Sequence, residues 1–248
     1  MRTSSRTGGR QGETISPMCG RYVMATPTSD LVALFEIDEV GPDQPEANWN
    51  IPPTTTVPIV VEPAPRDDSP PIRRLEAARW GLVPAWADDI SVGVRAFNAR
   101  SESAAEKPMF RDAVRERRAL VPADGWFEWH REGDAKTPHY VHGDAPISFA
   151  GLYAWWKQPD GTWLLSTSIL TTAATGDLAA IHERMPLVVS PEMRDAWLDP
   201  TEEGEAALEA VIAEAPSVVA DLSSHVVDNR VGNVREQGPD LIAASTTG

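Results

Sequence analysis

The chain holds one cysteine in 248 residues and three lysines, at positions 107, 136 and 157. A single thiol excludes an intramolecular disulfide framework and a cysteine-rich zinc site, and it fits a reducing, cytoplasmic setting. No apolar run approaches the roughly 20 residues needed to span a bilayer. Residues 1–17 are polar and rich in Gly, Ser, Thr and Arg, without the apolar centre of a secretory signal, so no membrane role is expected. The scarcity of lysine means that nearly all positive charge is arginine, whose planar fork suits phosphate. It is set against 37 acidic residues and a formal net charge of −15. That balance argues against broad affinity for nucleic acid, which depends on counterions displaced at clustered Lys and Arg. It leaves room for a local basic groove.

A hydrophobic content of 42% over this length supports one substantial core. Residues 1–17 read as a disordered extension or a mis-called start, 18–243 as a single domain and 244–248 as a tail. Residues 19–26 read as a first strand, and Ser29-Asp30 as the N-cap of a helix through about Phe35-Glu36. The prolines of Asn48–Pro53 keep that stretch extended. Val57–Val61 and Ile72–Trp80 read as strands separated by a proline-rich loop, and Val92–Phe97 leads into Asn98–Glu102, where Ser101 is a candidate cap. A helix is expected over Phe110–Arg118. Alternation in Leu120–Trp129, Pro138–Val141, Ile147–Trp155 and Trp163–Leu170, broken by Gly-Asp and Pro-Asp-Gly turns, is an antiparallel pattern. Leu187–Val189 adds a strand, Pro191–Leu198 and Glu202–Glu214 helices, and Val218–Val227 a last strand or two. The class is α+β with a mostly antiparallel sheet, because the strands follow too closely for crossover helices.

The lone cysteine follows an internal methionine in Pro17-Met18-Cys19-Gly20-Arg21-Tyr22. If Cys19 became the N-terminal residue, its α-amine and thiol would form a 1,2-aminothiol, which condenses with an aldehyde to an imine and then closes to a thiazolidine. An α-amine is far less basic than lysine, so its nucleophilic neutral fraction at pH 7 is roughly hundreds of times larger. The alternative is a small buried hydrophobe in a first strand. Glu128 sits among Trp126, Phe127 and Trp129. Enclosed, it is a candidate general acid or base; on an alternating strand it is an ordinary exposed carboxylate. His182, before Glu183-Arg184, is a candidate proton shuttle or a structural imidazole. Asn98 and Arg100 share a face if extended, offering an amide to a carbonyl and a guanidinium to a phosphate, or merely closing a turn. His139 and His142, three apart on a strand, point to opposite faces and make a poor metal pair. Arg21, Arg79, Arg95, Arg100 and Arg184 line one groove if their segments converge, with Trp49, Trp80 and Trp86 available to stack on bases or placed in the core.

Taken together, Met18–Tyr22, Trp80–Trp86, Phe97–Glu102, Val121–Trp129 and Ile181–Pro186 resemble, in this order, the motifs of the SOS response-associated peptidase (SRAP) family. The resemblance spans about residues 18–243. It implies a core of mostly antiparallel, barrel-like strands flanked by helices, and a protein that caps abasic sites in single-stranded DNA through a thiazolidine link. By that resemblance Cys19 forms the crosslink, Glu128 moves protons during imine formation and ring closure, and His182 protonates the sugar oxygen to open the ring. Asn98 holds the cysteine amine and the opened sugar. Arg100 and Arg184 bind the flanking phosphates, with Arg21, Trp80, Pro52 and Thr171 along the DNA path. No cofactor or metal is implied. The partners are single-stranded DNA with abasic sites and the replication machinery. The working unit is a monomer, cytoplasmic and nucleoid-associated when bound to DNA.

Eighteen residues precede Cys19 here, whereas in the family the cysteine directly follows the initiator methionine. With them attached, its nitrogen is an amide that cannot form an imine, so the expectation is that Met18 is the true start or that the extension is cut away. Three other readings remain. An N-terminal-nucleophile amidohydrolase would use the thiol on an amide with the amine as base. A thiol peptidase would pair Cys19 with His182. A non-catalytic single-strand binder would need neither.

Overall fold

The computed structural model describes residues 20–65, 67 and 69–245; Cys19 and the extension before it lie outside them. In chain order the first strands are β1 (Tyr22–Met24), β2 (Glu39–Val40), β3 (Asn48–Ile51), β4 (Thr56–Val61), β5 (Arg74–Trp80), β6 (Asn98–Arg100) and β7 (Arg118–Ala123). They are followed by β8 (Gly125–Glu132), β9 (Ala135–His142), β10 (Ile147–Lys157), β11 (Trp163–Ala173), β12 (Arg184–Pro186), β13 (Val188–Val189) and β14 (Ser223–Val226). The helices are α1 (Thr28–Leu34), α2 (Ser101–Ala104), α3 (Arg111–Glu116), α4 (Arg194–Leu198) and α5 (Gly204–Ala220).

Five strands close on themselves in the order β11, β10, β7, β4, β5 and back to β11. Four of the pairings are antiparallel, and the closing one, β5 against β11, is parallel. Closure removes the free edge that an open sheet would present. A second sheet, ordered β14, β9, β8, β1, β3, packs beside this barrel. Tyr22, Trp80, Phe97, Phe149 and Trp126 bind the two together through edge-to-face contacts at centroid distances of 5.2 to 5.8 Å.

Strand β11 is enclosed on both faces from Leu165 to Thr172 although it carries five hydroxyl residues there. Buried hydroxyls are tolerated when they find acceptors. Ser166 donates to Ala154 O at 3.2 Å and accepts from Val83 N at 2.9 Å, and Thr167 donates to Leu152 O at 2.9 Å. The far end of β11 is flanked twice. On one side β6 runs parallel, with Asn98 beside Ile169 and Arg100 beside Thr171. On the other β12 runs antiparallel, with Arg184 beside Ala173. Two motifs more than 80 residues apart in sequence are thereby hung on one strand.

The mostly antiparallel α+β class matches, with local differences. Helix α1 is not capped by Ser29-Asp30; its N-cap is Pro27, whose carbonyl accepts from Asp30 N and Leu31 N at 3.0 and 3.1 Å. Ser101 lies inside α2 rather than capping it. Helix α3 stops at Glu116 because Arg118 already begins β7. Residues 90–95, ahead of Asn98, form a 3-10 turn. Helix α5 runs through Pro216 to Ala220, past the expected stop at Glu214 and into the stretch read as strand. Leu208, Val211, Ala215 and Val219 recur on its buried face, and that packing outweighs the hydrogen bond lost at proline.

Candidate functional site at the end of the barrel

A cleft of about 650 Å³ opens between the barrel end and the second sheet, lined by Gly20, Arg21, Pro53, Thr54, Val94, Phe97, Glu128, Trp129, Arg131, Lys136, His182 and Gly232. Gly20, the residue that follows Cys19 in the sequence, is part of that wall.

Glu128 comes from β8 on the face that Trp126 shares, and only 5% of it is exposed. A small void behind it is lined by Glu128, Ile181, Arg184 and Met185 among others, so its surroundings reach both the cleft and the β12 segment. His182 enters from the turn after the 3-10 segment Gly176–Ala180, its own amide donating to Leu178 O at 3.1 Å. The backbone N–H of Arg184 lies 3.0 Å from its Nδ1. The Arg184 carbonyl oxygen lies at the same distance from Nδ1, so the main chain of Arg184 holds the ring in place through that one nitrogen. Asn98, half-buried on β6, directly follows the cleft residue Phe97.

The arginines differ in their partners. Arg21 is held by two neutral acceptors, Asn50 Oδ1 and Val231 O, each at 3.1 Å. Burial pulls its pKa below the ordinary arginine value. Asn50 is wholly buried and donates in turn to Val231 O at 3.1 Å and Asn233 O at 3.0 Å. One amide therefore fastens Arg21 and the C-terminal segment that forms the Gly232 wall. Arg184 makes a two-pronged pair with Glu102, at 2.5 and 2.9 Å, and donates to Thr171 O at 2.6 Å. Burial pushes the Glu102 carboxyl up, but the hydrogen bonds and charge of Arg184 outweigh it and hold the group below its ordinary value. Arg100 is exposed on β6.

Of the other sequence candidates, Pro52 is half-buried and leads into the cleft residues Pro53 and Thr54. Trp80 and Thr171 have no exposed surface, so neither presents a face to a ligand. Their contacts support the wall instead. The Trp80 indole donates to Phe97 O at 2.8 Å, and its backbone carbonyl accepts from Thr54 N at 2.7 Å. That bond holds Thr54 at φ 72°, a left-handed conformation costly for a β-branched residue. Thr171 braces Arg184 through its carbonyl and hydroxyl. Of the remaining tryptophans considered for stacking, Trp86 is exposed and Trp49 half-buried, both away from this cleft's lining. His139 meets His130, whereas His142 meets Tyr140 and His225, so the two diverge as a strand requires.

Sequence reasoning passed over Arg131, Lys136 and Asn50. Alternation would have placed Arg131 beside Trp129 on one face of β8. An asparagine between Trp49 and Ile51 on β3 was the available sign of a buried amide.

Comparison with known proteins follows the same lines. The family model described as SOS response associated peptidase (SRAP) matches residues 18–234. The abasic site processing protein YedK of Escherichia coli is 36% identical over 231 residues, covering 91% of this chain and 99% of that one. YoqW of Bacillus subtilis, also named an abasic site processing protein, is 30% identical over 229 residues, with 91% and 99% covered. A solved protein from Bacteroides thetaiotaomicron superposes with a TM-score of 0.78 at 22% identity, covering 92% of this chain and all of that one, a likeness of fold. The ordered motifs, the closed barrel and the matched span agree: the chain belongs to the SRAP family.

Proposed function

We propose that this protein recognises abasic sites in single-stranded DNA and traps them as a covalent adduct of Cys19, acting once per molecule as a shield for the lesion. The observation that carries this reading is the cleft: Gly20, the neighbour of Cys19 in the chain, the enclosed carboxyl of Glu128 and the imidazole of His182 meet in one space with Arg21, which has no anionic partner among the described residues. The names of the relatives point the same way.

In this reading His182 gives a proton to the ring oxygen of the closed sugar while the C1 hydroxyl gives its proton up to water, exposing the aldehyde. The α-amine of Cys19 attacks that carbon, Glu128 carries protons as the carbinolamine loses water, and an imine results. The thiol then adds to the imine carbon and its proton passes to the nitrogen, closing a thiazolidine with one water released overall. Asn98 steadies the amine and the opened sugar. Arg21, Arg100 and Arg184 face the flanking phosphates, and Trp80, Pro52 and Thr171 shape the path from behind. The chemistry requires a free amine, so Cys19 must be N-terminal in the working molecule. The match of the family from residue 18 supports a start at Met18 or removal of the extension.

Protein starting at Met18 is incubated with uracil-excised single-stranded DNA and run on a denaturing gel, beside Cys19→Ala and a form whose mass confirms that residues 1–17 are retained. The expected result is a shifted band with the Met18 form alone. DNA that detergent strips from the Met18 form, or equal crosslinking by Cys19→Ala, overturns the reading.

A further inference from the structure

The tip of the β8–β9 hairpin carries a pair of cations that no step above uses. Arg131 and Lys136 stand directly opposite each other across the two strands, both exposed, and both line the cleft. Like charges facing each other across an antiparallel pair repel and are ordinarily destabilising. The usual remedy is a carboxylate between them, yet among the described residues neither makes an ion pair. This occurs in a chain with 37 acidic residues against 22 basic ones, where a lysine is one of three. The cleft reverses that balance: Arg21, Arg131 and Lys136 line it, and Glu128 is the sole carboxylate among the described lining residues.

We infer that the hairpin tip is a phosphate rail: Arg131 and Lys136 hold the sugar-phosphate backbone of single-stranded DNA as it leaves the cleft. The inference rests on the proposed function and adds to it a subsite and a direction. Arg131 lies three residues along β8 from Glu128, roughly 10 Å at strand rise. The phosphates engaged are therefore one to two nucleotides from the lesion, on the side where the strand passes the second sheet. Trp129, on the same face as Arg131, lies between. An anion there relieves the repulsion that the free protein tolerates.

The test uses the Met18-start chain and a single-stranded oligonucleotide bearing a tetrahydrofuran site, which has no aldehyde and keeps binding non-covalent. Anisotropy titrations at several salt concentrations are compared for the unaltered chain, Arg131→Ala/Lys136→Ala and the charge-keeping Arg131→Lys/Lys136→Arg. Two lost phosphate contacts should lower the slope of log affinity against log salt by about 1.4 and weaken binding at low salt, while the charge-keeping pair retains the slope. Because both residues are exposed, the thermal midpoint should hold. A slope unchanged in the alanine pair, or lowered equally in the charge-keeping pair, overturns the rail. If the unaltered chain fails to crosslink a true abasic strand while the slope still falls, the covalent reading fails and the rail stands.

Discussion

Behind the barrel, Arg118 is 3% exposed and spends all five of its N–H groups on backbone carbonyls. Nε reaches Trp197 O at 2.8 Å, Nη1 reaches Val114 O and Arg115 O, and Nη2 reaches Asp199 O and Glu202 O. At the other end, Arg21 has two neutral acceptors, and Arg184 pairs with one half-exposed carboxylate and donates to the carbonyl and hydroxyl of Thr171. The residue type is the same and the duties differ. A guanidinium saturated by carbonyls ties α3, α4 and the loop before α5 to β7 and has no donor left for anything that arrives. One whose partners are few, neutral or displaceable keeps its charge in play: Arg21 lines the cleft, and Arg184 lines the small void behind Glu128.

The contrast is broken most severely at Arg118. Arg118→Met keeps much of the apolar stem but takes a donor from five carbonyls, of which Asp199 O keeps the Glu202 amide, and unsatisfied buried groups cost about 1–3 kcal/mol each before relaxation. Allowing for relaxation, an overall loss of about 3–5 kcal/mol is expected, lowering the melting midpoint by about 10 °C for a chain of this size. Urea and thermal unfolding measure it; a loss below about 1 kcal/mol would mean that the staple is dispensable. Next comes Asn50, which belongs to both regions because it is as buried as Arg118 and yet serves the cleft. Asn50→Leu should cost about 2–3 kcal/mol. It should also speed amide exchange over residues 229–236, whose carbonyls it holds. Destabilisation without that local exchange would place its role in packing alone.

The barrel was legible as an antiparallel class because each of its strands announces itself by alternation or by an apolar run between turn residues. Closure was not, since it depends on β5 meeting β11 in parallel across more than 80 residues, a pairing that no local pattern encodes. The site residues were legible as polar intrusions in apolar strings, Glu128 above all. Their division of labour was hidden. Trp80 and Thr171 entered as contact residues through the family resemblance, and nothing in their local sequence marks either as enclosed. Enclosure by β6, β12 and the second sheet, a tertiary fact, turns one into a support for Phe97 and Thr54 and the other into a brace for Arg184. The hairpin cations escaped notice because a charged pair at a turn is ordinarily a solvated tip, and only the cleft beside them changes that meaning.

The smallest effect on stability is expected at Glu102, and it bears most directly on whether Arg184 is kept available. The Arg184 side chain is 11% exposed but that of Glu102 is 49%, so solvent screens the pair, and Glu102→Gln should change folding stability by less than about 1 kcal/mol. Its effect on binding should be larger than its effect on folding. The carboxylate takes both prongs of the guanidinium, the same geometry a phosphate would use, so the two compete. Replacing it with an amide should tighten binding of the tetrahydrofuran oligonucleotide and steepen the salt slope by at most about 0.7. The pH dependence has a definite sign. Because Arg184 holds the Glu102 pKa below its ordinary value, the pair is intact throughout the neutral range and is lost only as pH falls through that depressed value. Affinities of the two proteins should differ at neutral pH and converge in acid. Weaker binding by Glu102→Gln at neutral pH would reverse the assignment: Glu102 would then be the group that aims Arg184 at the strand, and the cleft would resemble the back of the barrel more than the contrast allows.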